Sequence, residues 1–156
     1  MPYAEPFPSI TNPFTFRASA ALAGAGAWDA TPLIVACPQY ARLVLYLSYT
    51  RGAAGGAFDF QLQVSPYSAN ALVVQSWFNQ SEYSAAVLAA GADSQSRLQQ
   101  EYITYQSQAA AIENVVYGPV ELGAGVERVM VRARESGVVG TPGTLHIVGI
   151  VYNERA

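Results

Sequence analysis

The sequence predicts an all-β protein: an antiparallel β-sandwich, jelly-roll-like, of eight to ten strands, with an extended N-terminal arm and at most one short helix. Three observations carry this. Apolar and polar residues alternate along several short runs, Gly- and Pro-rich stretches separate those runs, and no long amphipathic helical patterns lie between them. At 156 residues the chain is most economically one domain, with an arm over residues 1–16 and a sandwich over 17–156.

The arm carries Pro2, Pro6, Pro8 and Pro13 among Tyr3, Phe7, Phe14 and Phe16. Proline removes a backbone donor and favours extended φ, so this stretch is neither helix nor central strand, and its aromatics need a surface to cover. That surface is either an apolar edge of the domain or a partner subunit. Ala18 to Ala27 reads as weak strand or loop because Gly24 and Gly26 each cost about 1 kcal/mol in a helix interior. Leu33, Ile34 and Val35 start a strand that Pro38 ends.

The clearest sheet signal is RLVLYLSYTRGAAGGAFDFQLQVS, residues 42–65, read as two strands joined by a glycine-rich tip. Leu43, Leu45, Leu47 and Tyr49 face one way on the first strand, and Phe58, Phe60, Leu62 and Val64 on the second. Asp59, Gln61, Gln63 and Ser65 are expected on a wet face. Tyr83 to Ala92 is where a short helix fits. Further strands are expected at Ala71–Phe78, Gln99–Gln106 and Ala111–Tyr117, the last stopped by Gly118-Pro119. The closing stretch pairs Val129, Val131 and Ala133 on one face against Arg128, Met130, Arg132 and Arg134 on the other. Thr144 to Tyr152 follows after GVVGTPG, and the simplest reading is an antiparallel hairpin. Its core residues are Val129, Val131, Leu145, Ile147 and Val151, its polar face Arg128, Arg132, Arg134 and His146, and its tip holds Val138 and Val139.

Composition narrows function. Charged residues are only 12% of the chain, all eight basic ones are arginine, and net charge is -3. A weakly charged surface lowers repulsion between copies, and no basic stripe with interleaved aromatics points to nucleic acid. Residues 1–8 have neither a basic start nor an apolar h-region, so no signal peptide is expected there, and no apolar run reaches the ~20 residues of a membrane-spanning helix, so synthesis in the cytoplasm is expected. Cys37 is the sole cysteine and His146 the sole histidine. Neither a cysteine-based zinc cluster nor a histidine-rich metal site can be assembled, no cofactor motif is present, and no spacing couples a serine and an acid to His146. An enzyme is therefore not expected. Large aromatics ordinarily pack in cores, but Trp28 and Trp77 are the candidates for stacking on sugar rings if the domain binds glycans.

The runs LVLYLSYTRGAAGGAFDFQLQVSPYS and RVMVRARESGVVGTPGTLHIVGIVYN together resemble the pattern of small tailed-phage virion proteins that decorate or cement capsids, over roughly Leu33 to Tyr152. The resemblance implies a non-enzymatic structural protein on the outer face of a capsid, bound to the major capsid protein, commonly as a homotrimer. Partner contact then falls to Tyr3, Phe7, Phe14 and Phe16 of the arm, with Val138 and Val139 at the tip. The second reading is a carbohydrate- or receptor-binding virion module that uses Trp28 and Trp77.

Overall fold

A computed structural model describes residues 9–10, 13–67, 77–79, 102–137 and 139–153. Its strands are β1 (Ser9–Ile10), β2 (Phe14–Ala21), β3 (Ile34–Ala36), β4 (Ala41–Thr50), β5 (Ala57–Ser65), β6 (Phe78–Asn79), β7 (Ile103–Gln106), β8 (Glu113–Gly123), β9 (Arg128–Glu135) and β10 (Thr144–Asn153). Every pairing is antiparallel. No helix occurs among the described residues, and none there is long and apolar enough to cross a membrane. The short helix expected over Tyr83 to Ala92 lies outside them.

The strands form two sheets packed face to face. In the first, β10 and β4 are central and β8 is an edge; β1 and β2 share the other edge, pairing with successive parts of β10. In the second, β9 and β5 are central and β3 is an edge, while β6 and β7 share the outer side of β5. Each sheet thus has four strand positions, two of its strands sharing one of them. From β2 to β5 and again from β8 to β10, consecutive strands alternate between the sheets.

That alternation corrects both expected hairpins. β4 pairs with β10 and β8, not with β5; β9 pairs with β3 and β5, not with β10. Alternation of side chains specifies which face of a strand is buried, and it is satisfied equally by a neighbour in the same sheet or one across the core. Arg128, Arg132 and Arg134 therefore stand on one sheet and His146 on the other, so they do not share a polar face. Nor does Gly118-Pro119 end its strand: β8 continues to Gly123 across a register shift against β4.

The in-facing residues are those the alternation predicts. Leu43, Leu45, Leu47 and Tyr49 of β4 meet Phe58, Phe60 and Leu62 of β5, Val129, Val131 and Ala133 of β9, and Leu145, Ile147 and Val151 of β10 in one cluster, with Val64 packed against it. Tyr49 and Phe58 join the sheets with ring centroids 4.8 Å apart, and Phe60 and Tyr117 do so at 5.1 Å. Cys37 is buried as expected; burial and the negative charge of Glu127 push its thiol up to about 12. Phe14 and Phe16, assigned to the extended arm, belong to β2, and Phe16 lies in the core, where its ring occupies the space a side chain at Gly149 would need.

Candidate functional site

Strand alternation sends Arg128, Arg132 and Arg134 of β9 to the outer face of the second sheet, beside Asp59 and Gln61 of β5. This face was expected to be wet, yet Asp59, Gln61, Ser65, Arg128 and Met130 are all buried. The reason is that the arginines hold loops down on it. Arg132 donates from Nε to the Asp29 carbonyl at 3.1 Å, and Arg128 from Nε to the Tyr67 carbonyl at 2.6 Å. Arg134 donates from Nε to Asp59 Oδ2 at 2.8 Å, while Thr104 donates to Asp59 Oδ1 at 2.7 Å. The Arg134 guanidinium also lies 4.2 Å from the Trp28 ring centroid and 4.7 Å from that of Tyr102, and Arg128 stands 5.0 Å from that of Trp77. A cation over an indole face contributes on the order of 0.5–2 kcal/mol and occupies the surface a sugar ring would stack on. Both candidate glycan-binding tryptophans thus have a guanidinium on one face, and Trp28 also meets Tyr102 edge-on.

The Asp29 side chain anchors the same loop a second time. Its carboxylate takes Arg17 Nε at 3.1 Å and the Ala133 N–H at 3.2 Å. Arg17 is further used by the carbonyls of Ala20, Ala21 and Leu145. A cleft of about 230 Å³ lies beside this pair, lined mainly by Ala18, Ala20, Ala30, Thr31 and Pro32. Its charged groups are already engaged with one another.

Two acids organise the end of the sandwich near the 137–143 connection. Glu135, 1% exposed, accepts from the Tyr49 hydroxyl at 3.2 Å and from the Gly143 N–H at 3.0 Å. Burial first, then the Glu135 charge and hydrogen bond, raise the Tyr49 hydroxyl above the ordinary tyrosine value. Glu113 closes the loop before β8, accepting from Ser107, Tyr105 and the N–H groups of Gln108 and Ala109. Those donors, Ser107 foremost and Tyr105 next, lower its carboxyl to about 2. These are structural clamps. Among the described residues no group of three or more His, Cys, Asp or Glu is placed to hold a metal.

The partner-binding candidates are described only in part. Tyr3, Phe7 and Val138 lie outside the described residues. Phe14 is half-buried in β2 and Phe16 is in the core. Val139 is half-buried, and its N–H donates to the Gly24 carbonyl at 2.9 Å, so that part of the tip is fastened to its own chain. Burial takes Phe16 out of the set available to a partner.

The residues that sequence reasoning missed are on the outer face of the first sheet. Tyr46 of β4 is in register with Val116 of β8 on one side and Val148 of β10 on the other. Val44 and Ile150 form the adjacent row, followed by Arg42 and Tyr152. Val116 is 61% exposed and Tyr46 43%. The signal was in the sequence: Leu43 to Leu47, Ile147 to Tyr152 and Val115 to Tyr117 contain no polar residue on either face, a pattern of strands covered on both sides. No protein-family model, curated protein or solved structure significantly matches this chain.

Proposed function

We propose that the protein is a structural, non-enzymatic component of a virion that sits on the outer surface of a capsid and stabilises it by packing against the major capsid protein. The observation that carries this reading is the strand order. Each sheet has four positions, with β10 and β4 central in one and β9 and β5 central in the other, and successive strands mostly cross between them. We read this order as two interlocked Greek keys, the jelly-roll arrangement recurrent in viral capsid and lectin domains. The step from fold to role is one of analogy. It is supported by the low charge of the chain and by acids and arginines that are engaged in holding loops.

Residues 1–8, with Tyr3 and Phe7, are the segment assigned to the capsid; the boundary moves inward from residue 16 because β1 and β2 are part of the first sheet. Repetition over many copies makes weak single contacts effective. The test is co-sedimentation of the full chain with mature capsids assembled from the major capsid protein of the same virion. Saturable binding that is lost on deletion of residues 1–8, with circular dichroism unchanged, is expected. Absence of binding to capsids, together with glycan-array binding that Trp77→Ala abolishes, would sink the reading in favour of a carbohydrate-binding module.

A further inference from the structure

The outer face of the first sheet is half-buried to exposed, yet the middle of three of its adjacent strands carries apolar residues at both parities. In β4, β8 and β10 the outward residues Val44, Tyr46, Val116, Val148, Ile150 and Tyr152 adjoin one another through the ladder. Polar residues bound this patch at both ends. Ser48 with Asn114 and His146 stands at one, and Arg42 with Glu121 at the other. An apolar centre within a polar rim is the anatomy of a protein interface rather than of a solvated sheet. We infer that this face packs against the same face of a second copy of the chain, giving a two-fold dimer of stacked sheets.

Three features favour a second copy as the occupant. The first is size. The apolar centre, three strands wide and about five residues long, projects roughly 240 Å², and with its polar rim the face of four strand positions at ~4.8 Å and ten residues at ~3.3 Å projects roughly 600 Å². Side-chain relief brings this to the order of the ~800 Å² per partner of a standard stable interface. The second is electrostatic. Arg42 and Glu121, the charged pair at its rim, neutralise each other at 2.9 Å. Two copies can then face each other without opposing like charges, whereas a strongly charged partner would find no complement. The third is shape: opposed sheets interdigitate at ~10 Å, and a two-fold contact requires only that one patch complement itself. This inference does not depend on the capsid reading; a chain that binds no capsid can still form this dimer.

Sedimentation equilibrium of the full chain tests it, alongside Val116→Asp, the milder Val116→Ser, and Tyr46→Ser. Both side chains are well exposed in the single chain, so the variants are expected to keep the wild-type circular dichroism and urea midpoint when diluted to monomer. The wild type is expected to show the mass of two chains, and the variants to dissociate with Kd raised at least about tenfold. A wild type that remains one chain at about 100 µM overturns the inference, since that is weaker than a built interface of this size. So does an assembly, dimer or trimer, whose mass and affinity none of the three variants changes.

Discussion

The Tyr49 hydroxyl donates to the Glu135 carboxylate at 3.2 Å, tying β4 of one sheet to β9 of the other. The second donor to Glu135 is the N–H of Gly143, where no larger residue fits because the Tyr49 ring fills the place of a Cβ. A tyrosine, a buried acid and a glycine from three parts of the chain thus form one joint that closes the end of the core.

Tyr49→Phe is expected to leave a buried carboxylate short of a donor and to lower stability by about 1–3 kcal/mol, read as a reduced urea midpoint with unchanged slope. Because the folded hydroxyl titrates above its ordinary value of 10, its contribution is complete below that pH and is lost as pH rises beyond it. Wild-type stability should therefore fall in strong alkali, and Tyr49→Phe should show a smaller fall. Equal alkaline losses in the two proteins would count against the joint.

Glu113 gives the opposite pH sign. Its carboxyl is lowered from 4.5 to about 2 by the Ser107, Tyr105 and backbone donors. A depressed folded value means stability present above the unfolded value and lost as pH falls through the folded one. Thermal melts between pH 5 and about 2 should fall less steeply for Glu113→Gln than for wild type.

Arg134 and Asp59 form a pair in which the acid is buried and the guanidinium, partly exposed, lies against the Trp28 and Tyr102 rings. Arg134→Ala removes the partner of a buried charge and is expected to cost about 3 kcal/mol, the lower end for a broken buried pair because water reaches one member. Arg134→Lys should recover little, since an ammonium lacks the planar fork that donates to Asp59 while covering the Trp28 and Tyr102 rings. In the same variant Trp28 fluorescence should change as its stacked cation leaves. Full stability in the lysine variant would show that charge alone suffices.

Phe16 supplies a test of where the arm ends. Phe16→Ala is expected to cost about 3–5 kcal/mol through the cavity it leaves, a loss that a partner-facing aromatic would not show. Gly149→Ala should itself cost about 1–3 kcal/mol by overpacking, and combining it with Phe16→Leu should restore part of that loss. Strict additivity of the two substitutions would mean that the ring and the glycine are not in contact in solution.

The sequence by itself determined the class of fold and the buried side of each main strand. Leu43, Leu45, Leu47, Tyr49, Phe58, Phe60, Val129, Val131, Leu145 and Ile147 were assigned inward by alternation and are inward. A period of two is a property of one strand and the surface it meets, so it is legible locally. Alternation carries no information about the neighbour, and so β4 and β9 were assigned the wrong partners although their faces were right. The site was less legible for the same reason. Tertiary structure decided that Arg128, Arg132 and Arg134 are loop clamps, that Trp28 and Trp77 meet guanidinium groups, and that Phe16 is core. Each of those roles depends on residues distant in sequence being brought within a few ångströms. The apolar outer face of the first sheet lies between the two cases. Its residues could be read from unbroken apolar runs, but only the pairing of β8, β4 and β10 makes three separate runs into one surface.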